Sequence, residues 1–183
     1  MKAAYILFLF IVFTSCRDSA YKKAADEIAS KLPEPTNMNV GHDKYALYIP
    51  NGWTTESRTM YGIDYYSLFA PKTTEDPNTS VNVITEYMRR LSLEEYRRKT
   101  IESVKKAVPS AINFKMGTIT ANELKGCWYS YDMKPQDIEA SLVCYIFPKN
   151  GAAYILTAGT QTKLAVRYRS TFDSVAASLK FAQ

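Results

Sequence analysis

Residues able to do chemistry are sparse in this 183-residue chain, and their spacing excludes more than it offers. The single histidine, His42, has no cysteine or acid pattern at metal-ligand spacing, and Asp43 beside it cannot complete a proton relay alone. Gly-x-Ser-x-Gly, a glycine-rich phosphate loop and Cys-x-x-Cys are all missing, so triad, nucleotide and zinc-ribbon chemistry have no motif to stand on. Asp64, Glu75, Asp76 and Glu86 would hold a cation only if loops gathered them, and solvated carboxylates are the expectation. The reading is a non-enzyme with no catalytic residue, no metal site and no cofactor.

One cysteine stands apart. Lys2 precedes an uncharged apolar run from Ala3 to Phe13, and Thr14-Ser15-Cys16 closes it with small residues, the three parts of a secretory signal peptide. A membrane-spanning helix is excluded by length: at about 1.5 Å per residue, Ala3 to Ser15 reaches only ~20 Å of a ~30 Å hydrocarbon core. Phe13-Thr14-Ser15-Cys16 resembles a lipobox, with Phe13 at the position usually held by Leu, and makes Cys16 the candidate lipidation site. Arg17 is not the aspartate associated with inner-membrane retention, so the expected location is the cell envelope, lipid-anchored at the outer membrane and facing the periplasm or the surface. Simple cleavage that leaves Cys16 unmodified is the alternative.

Cys127 and Cys144 form a candidate disulfide, since an oxidising compartment permits one. A hairpin turning about Lys134-Pro135-Gln136-Asp137 would set the two cysteines directly opposite, within bridging distance. Two buried free thiols are the other outcome. Arg97 falls inside the apolar arc of a helix. There it either lines an anion site with Arg90 and Arg98 or lays its stem on apolar surface and sends its head to water. Trp53, Tyr61, Tyr65, Tyr66 and Trp128 are enough rings for a recognition surface if exposed, and for core packing if not.

The elements that must position these residues follow from pattern. Removing residues 1–15 leaves 168 residues, one domain's worth, with 22 Lys and Arg against 18 Asp and Glu. That interspersed excess argues against nucleic acid as a partner. Residues 16–39 read as a lipid anchor and tether, in which Ala20, Ala24, Ala25, Ile28 and Leu32 have the spacing of a short helix before Pro33. Residues 40–183 form the globular domain. Strands are expected at Tyr45–Ile49, Tyr65–Ala70 and Val81–Thr85, with a turn at Pro50-Asn51-Gly52 and a loop from Pro71 to Ser80. Ser92-Leu93-Glu94-Glu95 is a capping box opening an amphipathic helix that Pro109 ends. Four strands follow, at Asn113–Thr120, Cys127–Met133, Ser141–Phe147 and Ala153–Ala158, then a helix from about Lys163 to Ser178 and a short strand through Leu179-Lys180-Phe181. The class is α+β, a mainly antiparallel sheet with helices packed on it.

In this order the features resemble a known family. Tyr45 to Trp53, with its Pro-Asn-Gly-Trp turn, is similar to the opening strand and turn of the PsbP-like superfamily. Ser80-Val81-Asn82-Val83 and Ser92 to Tyr96 are similar to its next strand and helix start, and Tyr154 to Thr157, Tyr168 to Phe172 and Ser178 to Phe181 to its closing strand, helix and strand. The resemblance covers roughly residues 40–183 and implies an α-β-α sandwich around an antiparallel sheet. It implies no reaction, because members act by binding partners or as accessory subunits. The expected function is a membrane-anchored lipoprotein presenting a non-enzymatic binding or accessory domain, with the membrane and an envelope protein as partners. A structural envelope-maintenance lipoprotein and an enzyme with loop-assembled residues are the alternatives.

Overall fold

The structure, a computed structural model, describes residues 44–60, 63–134 and 139–182. Cys16, the tether, His42 and Tyr61 lie outside the described residues. The elements in order are β1 (Tyr45–Ala46), β2 (Thr54–Met60), β3 (Ile63–Phe69), β4 (Ser80–Tyr87), α1 (Leu93–Ala107), β5 (Ile112–Ala121), β6 (Leu124–Met133), β7 (Ala140–Lys149), β8 (Ala152–Gln161), a 3-10 turn (Thr162–Leu164), α2 (Ala165–Ala177) and β9 (Lys180–Phe181). Seven strands make one sheet in the order β2-β3-β4-β8-β7-β6-β5, and β1 pairs with β9 in a separate ribbon. All the pairings are antiparallel.

Alternation along the central strands divides the core in two. Ile84, Cys144, Ile146 and Ile155 face α1 with Tyr96, Ile101 and Val104. Their neighbours Val83, Val143, Tyr145 and Leu156 face α2 with Phe172, Val175 and Ala176. β7 and β8 are buried along nearly their whole length because a helix covers each face, which is why their sequences carry no polar alternation. The chain is therefore an α+β protein, an α-β-α sandwich around an antiparallel sheet.

Local sequence accounts for the joints. The Ser92 hydroxyl accepts from the Glu95 amide while the Glu95 carboxylate accepts from the Ser92 amide, a complete capping box. Glu94 and Glu95 in the first turn and Lys105 and Lys106 in the last complement the helix dipole. At the Pro50 turn, Trp53 N–H donates to Pro50 O at 3.0 Å and Gly52 takes φ +79°, the left-handed value a type II turn requires at its third residue.

Three expectations are corrected. The Tyr45–Ile49 strand shrinks to Tyr45–Ala46, the two residues that pair with the equally short β9. β2 was not expected from its sequence, Thr-Thr-Glu-Ser-Arg-Thr-Met, because an exposed edge strand lacks the apolar alternation that announces a strand. In the β6–β7 hairpin Cys127 pairs with Ile146 and Cys144 with Tyr129, so the cysteines stand one step apart along the same face rather than opposite. Both are buried free thiols. Burial pushes both thiols up to about 11, so they stay protonated at neutral pH and offer no thiolate.

Candidate ligand-binding cleft

Among the described residues, the sequence-predicted surface residues Trp53, Tyr65, Tyr66 and Arg97 do not come together. Tyr65 is buried on the α1 face, whereas its neighbour Tyr66 is half-buried on the α2 face against Tyr45. Trp53 packs edge-on against Tyr168. Arg97 Nη1 donates to Gly117 O at 3.2 Å and Nη2 lies 3.7 Å from Glu94, so its head is bound to the chain itself and is no anion site. The acids also separate. Asp76 is buried, accepting from Thr79 N–H, the Thr79 hydroxyl and the Tyr168 hydroxyl, while Glu86 is buried on the opposite face beside Tyr96. Neither is the solvated acid the sequence suggested. Among the described residues no three His, Cys, Asp or Glu side chains converge as metal ligands.

What the fold does assemble is a cleft of about 530 Å³ between the start of α2 and the ends of β5, β6, β7 and β8. Its floor is a row of polar side chains, one from each of four adjacent strands. Asn113 Nδ2 donates to Asp132 Oδ2 at 2.8 Å, and the Ser141 hydroxyl donates to Asp132 Oδ1. Ser141 pairs across the sheet with Thr160, whose hydroxyl lies 2.6 Å from that of Thr79, and Thr79 donates to Asp76. Asn113 reaches the floor because β5 bulges between Ile112 and Lys115, with Asn113 at φ +57°. Ser130 and Lys115, directly paired on β6 and β5, continue the lining.

The roof is α2. Ala165, Val166 and Phe172 supply its apolar part, and Val166 is 92% exposed at the mouth. Arg169 supplies the charge. Its Nε donates to both Asp173 oxygens at 3.0 and 3.1 Å, and its guanidinium lies 4.2 Å from the centre of the Trp128 ring. Tyr145 in turn donates its hydroxyl to Asp173 at 2.6 Å, an interaction that, after burial, keeps the tyrosine protonated. Trp128 itself lies flat on Gly117, where a side chain would come within 2.8 Å of the indole. Ring, carboxylate and guanidinium thus form a preorganised stack. Among the described residues, neither Nη group of Arg169, nor Lys115, has a carboxylate or carbonyl partner.

The 3-10 turn and α2 begin with no side-chain cap and no acid in the first turn; the Thr162 N–H donates instead to Glu139 O at 3.2 Å. Sequence reasoning missed Asn113, Lys115, Ser130, Asp132, Ser141, Thr160 and Arg169 as a group. Only the strand register brings them together, and the register was one hairpin step off.

This arrangement of a seven-stranded antiparallel sheet with a helix on each face is the PsbP-like fold. Three solved structures carry it. Cyanobacterial PsbP (CyanoP) from Synechocystis superposes with a TM-score of 0.53 at 14% identity, covering 81% of this chain and 98% of its own. LpqN of Mycobacterium tuberculosis, described as involved in cell envelope biogenesis, gives 0.55 at 10% identity over 79% of this chain and 87% of its own. PA94 of Pseudomonas aeruginosa, a protein of unknown function, gives 0.57 at 15% identity over 78% and 99%. No protein-family model matches the chain, and no curated protein matches it in sequence. Among the described residues no helix is long and apolar enough to cross a membrane.

Proposed function

We propose that this chain is a lipid-anchored protein of the bacterial cell envelope whose PsbP-like domain binds a small ligand without transforming it. In this reading residues 1–15 are the signal peptide, Cys16 carries the lipid, and residues 16–39 tether a domain spanning 40–183. The apolar run closed by Cys16 supports the anchor. The envelope role described for LpqN, which shares the fold, supports the compartment.

The observation that carries ligand binding is the cleft itself. Its volume of about 530 Å³ lies within the usual ~300–1,000 Å³ of small-molecule sites, and its walls present Arg169, Lys115 and Asp132 without mutual ion pairs. The one lining hydroxyl seen donating to a carboxylate of the cleft, Ser141 to Asp132, is tied with Asn113 into the hydrogen-bonded floor, and this favours binding over catalysis.

Native mass spectrometry of the full chain extracted from membranes tests both halves. The expected species begins at Cys16, exceeds the unmodified mass by a diacylglyceryl-type adduct, and retains a small molecule that the Arg169→Gln variant loses. An unmodified, soluble protein would sink the anchor. Equal retention by Arg169→Gln, or a retained molecule chemically altered on incubation, would sink the binding reading.

A further inference from the structure

We propose that the cleft takes a small zwitterion of the amino-acid or short-peptide type, its carboxylate held by Arg169 and Lys115 and its ammonium by Asp132. The inference rests on the cleft being the ligand site and deepens that reading to a ligand class.

The charges of the lining decide the class. Arg169 is oriented by its fork to Asp173 and by the Trp128 ring, which leaves its Nη groups as the free donors of a guanidinium already fixed in place. Such a group favours a carboxylate or phosphate. Lys115 adds a second cation from β5. A simple anion leaves the floor carboxylate unanswered. Asp132 has two neutral donors, Asn113 and Ser141, and no cation partner among the described residues. Each of its oxygens retains a lone pair for a further donor. A bare anion is repelled by Asp132, and a neutral polyol leaves Lys115 without a counter-charge and the Nη groups of Arg169 without an anionic acceptor. A ligand carrying a carboxylate and an ammonium answers both the cations and the floor carboxylate. The hydroxyls of Ser130, Thr160 and Thr162 then lie along the lining for peptide N–H and C=O groups. The roof of Ala165, Val166 and Phe172 accepts an apolar side chain.

Isothermal titration calorimetry of the full chain in detergent, at low salt and neutral pH, tests this with four probes: trialanine, N-acetyl-trialanine, trialanine amide and inorganic phosphate. Trialanine should bind, and blocking either end should weaken it roughly ten- to hundredfold, the range for a lost charge-assisted hydrogen bond. Asp132→Asn should lower the affinity for trialanine and leave that of the N-acetyl form unchanged. If Asp132→Asn does not fold, exposed Lys115→Gln serves in its place, and it should weaken trialanine but not its amide. Equal binding of blocked and free peptides overturns the proposal. So does binding of phosphate but not trialanine, a result that leaves the cleft standing as an anion site. Silence from every probe, phosphate included, overturns the zwitterion. The cleft reading falls with it only if native mass spectrometry also finds no ligand that depends on Arg169.

Discussion

The two faces of the sheet treat polar groups in opposite ways. Under α1, a row running Ser67, Asn82, Thr157, Cys144, Tyr129 crosses five strands, all of it buried. Ser67 Oγ and Glu86 Oε1 have no hydrogen-bond partner there among the described residues, and Glu86 is only 5% exposed. Under α2, the row from Asn113 through Asp132, Ser141, Thr160 and Thr79 to Asp76 is hydrogen-bonded nearly end to end, yet a cleft opens above it. The helices differ in the same sense. α1 carries a complete capping box with acids in its first turn, whereas α2 has neither. One face spends its polar groups on a sealed interior with some left unsatisfied, and the other keeps satisfied polar groups accessible. The face whose polar groups are both organised and reachable is the one suited to a ligand.

Truncation on the sealed face should have the largest effect. Tyr129→Ala removes a fully buried ring stacked on Tyr131 and should cost about 3–5 kcal/mol, read as a lower urea midpoint. A smaller cost would mean that α1 collapses onto the site, and the contrast between the faces would weaken.

Next comes the pH dependence of Glu86. Burial, opposed by the Tyr96 hydroxyl and the charge of Arg89, pushes its carboxyl up from 4.5 to about 7. Between those values the native state holds a proton that the unfolded chain has released, so stability falls as pH rises from about 4.5 to 7. The loss is on the order of 3 kcal/mol and complete above the folded value. Urea melts at pH 5 and pH 8 should show this decline, and Glu86→Gln should flatten it. An unchanged slope in that variant would place the titration elsewhere.

The smallest effect should come from the open face. Asp132→Asn keeps the side chain's shape and should cost about 1 kcal/mol or less in the same melts. A loss comparable to Tyr129→Ala would make the cleft row a structural strut rather than a binding surface.

Legibility followed the range of each interaction. α1 was readable because its capping box and apolar arc are local, and so was the start of α2, expected near Lys163 against an observed 3-10 turn at Thr162 and helix at Ala165. β7 and β8 declared themselves by continuous apolar runs. The interiors of Asp76 and Glu86 were invisible, because what buries an acid is a partner remote in sequence: Tyr168 for the first, Tyr96 for the second. The cleft was hidden for the same reason. Asn113, Asp132, Ser141 and Thr160 are unremarkable in their own strands and meet only through three registers, and the Cys127–Cys144 expectation shows how a two-residue difference in one loop misplaces a whole row.

The stack of Gly117, Trp128 and Arg169 also constrains how this protein can drift over evolutionary time. With Arg169 packed 4.2 Å from its ring centre, the indole must shift before a side chain can fit at 117. Replacing Gly117 alone therefore displaces the indole, while a smaller residue at 128 frees 117 to vary and removes the platform under the arginine. These three positions should exchange as a set among descendants of this sequence, recording which lineages kept the charged wall of the cleft.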